Sequence, residues 1–135
     1  ALDMLFEEGL ESVWNRHRIL ADAVRSAVQA WKAEDGFSFN VTEPEFRSNS
    51  VTTVLTGDVD ASELRRIAEQ DCGVTLGIGL AEFADRAIRI GHMGHLNPPM
   101  ILGTLGTIEA ALTKMGAPMG GSGSAAAAAV IGSAL

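Results

Sequence analysis

The residue of this chain best placed to do chemistry is an arginine set inside an apolar run, Arg86-Ala87-Ile88-Arg89-Ile90-Gly91-His92-Met93-Gly94. Alternation along a strand puts Ile88 and Ile90 on one face and Arg89 on the other. A guanidinium on a rigid strand is a planar, permanently charged fork that matches the two oxygens of a carboxylate. Gly91 and Gly94 leave room beside it for a ligand or a neighbouring backbone. The same pattern also fits a solvated or salt-bridged sheet arginine, and spacing alone does not separate the two.

Other reactive residues read more modestly. Gly77-Ile78-Gly79 lacks the continuation of a dinucleotide fingerprint and is followed by no P-loop lysine. His92 and His95 are three apart beside Asn97, but no third Cys or carboxylate ligand stands close by, so structural or loop roles are expected and no metal site. His17 falls within an apolar stripe and reads as a packed core or interface residue. No nucleophile elbow with a Ser-His-Asp order is present. The two lysines, Lys32 and Lys114, lie near helix ends, where positive charge is favoured, and neither reads as a buried Schiff-base lysine. The single cysteine, Cys72, cannot form an internal disulfide; it reads as a small buried hydrophobe in a reducing cytosol.

Composition narrows the classes further. With 135 residues, 47% of them hydrophobic, the chain suffices for one domain with its own core. Ten basic against seventeen acidic residues give a net charge of -7, which argues against a nucleic-acid footprint or an anionic membrane surface. A small anion could still be held locally at an arginine. No apolar run reaches the roughly 18 residues of a membrane span, and Ala1-Leu2-Asp3-Met4 has no basic leader, so the chain reads as soluble and cytoplasmic.

These residues need elements to hold them. Leu10, Val13, Trp14, His17, Leu20, Ala21, Val24, Ala27, Val28 and Trp31 recur at helical spacing, the strongest periodicity in the chain, with Glu34-Asp35-Gly36 as its stop. Phe37, Phe39 and Val41 alternate as a short strand, and a polar loop from Thr42 to Ser50 follows. Val51-Thr52-Thr53-Val54-Leu55 is a β-branched strand. Asp60-Ala61-Ser62-Glu63 caps a second helix that stops at Gly73. Val74 to Leu80 and Ala87 to Gly91 form a hairpin. Asn97-Pro98-Pro99 starts a third helix, with Ile101, Leu105, Ile108, Leu112 and Met115 buried, before Gly116 and Pro118. The order α-β-β-α-β-β-α predicts an α+β fold, a small antiparallel or mixed sheet covered by helices, over residues 1–119. The Gly/Ser/Ala-rich tail, 120–135, reads first as a flexible linker; alternatively, Val130, Ile131 and Leu135 pin a short helix.

Taken together, these motifs resemble the class V aminotransferases of PLP fold type I, within them the alanine–glyoxylate and serine–glyoxylate group. Glu8-Gly9-Leu10-Glu11 with Trp14 and His17 is similar to the helix leading into that family's C-terminal small domain. Val51-Thr52-Thr53-Val54 is similar to its first central strand, Gly77-Ile78-Gly79-Leu80 to the glycine-rich turn before its last hairpin, and Ile88-Arg89-Ile90-Gly91-His92-Met93-Gly94 to its arginine strand. The resemblance implies that Arg89 binds the carboxylate of an amino-acid or 2-oxo-acid substrate, with Gly77 and Gly79 as candidates for lining the site. It further implies that pyridoxal 5'-phosphate (PLP), its Schiff-base lysine and its acidic partner belong to a large domain before Ala1, that the complete enzyme is a homodimer, and that these 135 residues alone are inactive. The competing reading is a non-catalytic α+β domain that binds a small anion or a protein partner.

Overall fold

A computed structural model of the protein describes residues 2–34 and 36–134. Among the described residues, α-helices and strands follow one another as helix α1 (Leu2–Glu8), helix α2 (Leu10–Trp31), strand β1 (Ser38–Phe39), strand β2 (Val51–Leu55), helix α3 (Ala61–Gln70), strand β3 (Gly77–Ile78), strand β4 (Ala87–Gly91), helix α4 (Pro98–Met115) and helix α5 (Gly123–Ala134). The strands form one sheet in the order β1-β2-β4-β3, every neighbour antiparallel. This is the expected α+β architecture.

The sheet has one covered face. Thr52 and Val54 of β2 and Ile88 and Ile90 of β4 are buried and pair across the ladder, Thr52 with Ile90 and Val54 with Ile88. They meet a helical layer that contributes Leu20, Val24, Val28 and Trp31 from α2, Leu64 from α3, and Ile101, Leu105 and Ile108 from α4. The alternate residues Val51, Thr53, Leu55 and Arg89 lie on the opposite face and stay partly accessible. Period-two patterning thus divides this sheet into a packed side and an open side.

Local chemistry sets the helix ends. The Asp60 carboxylate accepts the N–H groups of Ser62 (2.9 Å) and Glu63 (3.0 Å), satisfying two orphan donors of α3. Asn97 accepts the Met100 N–H at 3.0 Å, and Gly116, at φ 66°, closes α4 in the left-handed region. Gly9, at φ 85°, separates α1 from α2, so the acidic stretch Glu7-Glu8 belongs to a helix of its own.

Several expectations are corrected. The helix expected to run to Glu34-Asp35-Gly36 ends at Trp31; Asp35 lies outside the described residues. At this end the Trp31 carbonyl accepts the Gly120 N–H (3.3 Å). Trp14, placed on the buried stripe, is 63% exposed. The first strand shrinks to two residues, and of the expected third strand only Gly77–Ile78 pairs. Beyond it Gly79 is packed so closely under the Phe83 carbonyl that a Cβ would overlap it, and the chain turns through a 3-10 segment, Ala81–Phe83. Cys72, read as buried, is exposed just past α3.

Of the two readings of the tail, a flexible linker or a short helix, the structure shows the helix. Residues Gly123–Ala134 form α5, which packs along α2 and buries Ala127 and Ile131, while Leu135 lies outside the described residues. Glu109 of α4 receives the start of this helix: its carboxylate accepts the Ser124 N–H (3.1 Å), the Ser124 hydroxyl (2.7 Å) and the Trp31 indole N–H (3.0 Å). A side chain from another helix therefore does the work of an N-cap.

Candidate functional site

Arg89 stands in the middle of β4, which lies between β2 and β3, with Thr53 opposite it on one side and Gly77 on the other. The three residues form one row across the open face. The Arg89 Nε–H donates to the Ile78 carbonyl at 2.7 Å. Among the described residues the two terminal nitrogens of its guanidinium make no hydrogen bond, and no carboxylate forms an ion pair with it. The salt-bridged alternative left open by the sequence thus has no counterpart among the described residues. What remains among the described residues is a half-buried cation whose two terminal nitrogens have no hydrogen-bond partner, on the partly accessible face of the sheet.

The glycines proposed to line the site have different roles. A Cβ at Gly77 would sit 3.0 Å from the Arg89 Cβ and 3.5 Å from its Nε, so Gly77 borders the arginine directly. Gly79 is buried against Phe83 and Ala87, and its role is to let the backbone turn.

The loop after β4 is tied down by three basic side chains. Arg16 of α2 donates to the carbonyls of Gly94 and Leu96, both at 2.8 Å, and forms a two-pronged ion pair with Glu8 at 2.6 and 2.7 Å. That contact holds the Glu8 carboxyl below its usual range. The Gly94 N–H donates to Nε2 of His17 at 3.0 Å. His92 is fully buried: its Nδ1 lies 3.0 Å from the Asn49 carbonyl and its Nε2 2.9 Å from the Thr52 hydroxyl. A carbonyl can only accept, so Nδ1 carries the proton and Nε2 accepts from Thr52. Burial pushes this imidazole down to about 4 from 6.5, outweighing the Asn49 hydrogen bond, and keeps it neutral.

His92 and His95 are therefore not brought together as ligands. Both ring nitrogens of His92 are occupied, and His95 is exposed. Among the described residues no group of three or more His, Cys, Asp or Glu side chains could hold a metal ion. No helix among them is long and apolar enough to cross a membrane. The partners of Arg89 and His92 that sequence reading misses are mostly backbone carbonyls, which carry no side-chain signal; the glycine at 77 was the available hint.

No family model matches the chain. It is 43% identical over 129 residues to the serine–glyoxylate aminotransferase of Arabidopsis thaliana, an alignment that covers 94% of this chain and 31% of that protein. The crystal structure of pyridoxamine–pyruvate aminotransferase from Mesorhizobium loti superposes with a TM-score of 0.88 at 34% identity, over 99% of this chain and 34% of that one. Ureidoglycine–glyoxylate aminotransferase from Bacillus subtilis follows at 0.84 and 26%, over 96% of this chain and 33% of that one. The chain thus spans about a third of the length of the relatives it matches. Sequence and fold agree that the chain resembles a C-terminal portion of class V aminotransferases.

Proposed function

We propose that this chain is the C-terminal small domain of a PLP-dependent aminotransferase that moves an amino group from alanine or serine to glyoxylate or pyruvate, and that Arg89 binds the substrate carboxylate. The carrying observation is the Arg89 fork, centred on the open sheet face with its terminal nitrogens free of partners among the described residues. A carboxylate docked there fixes the adjacent reacting carbon, and positioning of that kind accounts for much of a rate enhancement.

The lysines of this chain do not fit as a PLP attachment point. Lys114 is held in an ion pair with Asp71 at 2.7 Å, and Lys32 is the C-cap of α2. Both belong to the helical layer, away from the row that carries Arg89. PLP, held by the rest of the enzyme, supplies the electron sink. The residues here bind and orient the small amino-acid or 2-oxo-acid substrate, in an enzyme read as a cytoplasmic homodimer.

Substitution in the complete enzyme tests the reading. Arg89→Lys replaces a two-pronged contact by a point charge, and KM for serine and for glyoxylate is expected to rise on the order of a hundredfold. An unchanged KM for both removes Arg89 from the site.

A further inference from the structure

The structure assigns Gly77 and Ile78 a positioning role: together they hold Arg89 so that only its terminal Nη pair, and not the Nε edge, is presented to a carboxylate. This rests on the carboxylate-binding reading of Arg89 and adds how that binding is oriented. A guanidinium can grip a carboxylate either end-on, through its two Nη atoms, or side-on, through Nε and one Nη. Here the side-on edge is taken. The Ile78 carbonyl lies 2.7 Å from Nε, a short charge-assisted bond made by a backbone atom of the paired strand β3.

Gly77 makes that bond reachable. It pairs directly with Arg89, and a Cβ built on it would meet the Arg89 Cβ at 3.0 Å, the Arg89 carbonyl at 3.3 Å and Nε at 3.5 Å. Directly opposed side chains in an antiparallel pair ordinarily hold their Cβ atoms about 4.5–5.5 Å apart. A side chain at 77 therefore requires β3 or the arginine stem to give by a few tenths of an ångström, which shifts Nε relative to the Ile78 carbonyl. Its φ is not in the left-handed region, so glycine is needed here for space and not for backbone conformation. Gly77 and Ile78 touch no substrate in this scheme; they act through Arg89.

The experiment compares Gly77→Ala, Arg89→Lys and the unaltered enzyme, each full-length and loaded with PLP, with serine and glyoxylate as substrates. Gly77→Ala is expected to raise KM for both on the order of tenfold while kcat changes less than twofold, because the clamp is misaligned and the chemistry is not. If Arg89→Lys raises KM and Gly77→Ala does not, the positioning role is overturned while the carboxylate reading stands. If Arg89→Lys leaves KM unchanged, the carboxylate reading falls and this inference with it. A second measurement needs no variant at position 77: in the unaltered enzyme, the Arg89 Nε–H signal, assigned by its loss in Arg89→Lys, is followed by nitrogen NMR during titration with pyruvate. Retention of an exchange-protected, unshifted Nε–H while the Nη signals move supports end-on docking. Displacement of the Nε–H by pyruvate overturns it.

Discussion

Gly123 lies against Trp31 so closely that a Cβ at 123 would come within 2.6 Å of the indole Cε2 and 2.9 Å of the Ala27 Cβ. The missing side chain is filled by tryptophan, and α5 thereby settles onto the C-terminal turn of α2. Gly123→Ala is expected to destabilise the fold by about 1–3 kcal/mol through overpacking. Gly132→Ala, on the same helix with nothing within 4 Å of its Cβ, is expected to stabilise by about 0.5–1 kcal/mol. Urea unfolding midpoints decide; shifts in the same direction would reject the close-approach account.

Glu109 is the polar counterpart of that contact. Burial raises its carboxyl, but hydrogen bonds from Trp31 and Ser124 outweigh this and leave it below the ordinary value of 4.5. The stabilisation is therefore present above pH 4.5 and fades as pH falls through the lowered native value. Glu109→Ala, which strands the indole N–H and the start of α5, is expected to cost about 1–3 kcal/mol at neutral pH and much less once the carboxyl is protonated. Thermal melts at two pH values read both effects.

His92 supplies a second, higher acid-sensitive window. Its imidazole is neutral in the fold down to about pH 4, whereas in an unfolded chain it charges near 6.5. Stability from the neutral, buried ring is complete above pH 6.5 and declines as pH falls from there toward 4, a loss on the order of 3 kcal/mol. Proton NMR of the ring should show no titration between pH 7 and 5; a midpoint near 6.5 in the folded protein would refute its burial.

Cys72 should behave as an open thiol. It is exposed after α3 and pairs with no other cysteine, so a thiol reagent is expected to label it fully under native conditions at close to the rate in urea. Labelling that waits for unfolding would contradict the exposed position.

The isolated chain is expected neither to bind PLP tightly nor to transaminate, since Lys114 is paired with Asp71 and Lys32 caps α2. Mixing it with PLP should leave the cofactor's visible spectrum unchanged. A lysine-bound cofactor band lost in Lys32→Ala or Lys114→Ala would overturn this.

Much of the fold was legible because local rules and packing agree. The 3.6-residue stripe from Val13 to Trp31, the Asp60 and Asn97 caps and the β-branched run at 51–55 each encode their element within a few neighbouring residues. Alternation at Ile88-Arg89-Ile90 likewise determined that Arg89 would oppose the core, since side chains of a strand have only two faces to choose from. The tertiary structure alone decided what the glycines are for. Gly120 and Gly123 read as linker residues because a sequence cannot distinguish a glycine that bends from one that admits Trp31 or the Lys32 carbonyl. It also decided the partners of the charged groups: Ile78 for Arg89, Asn49 and Thr52 for His92, and Ser124 for Glu109 are 11 to 43 positions distant and in large part backbone atoms. Hydrogen bonds of that kind are set by where chain segments meet in space, a property no single stretch of sequence carries.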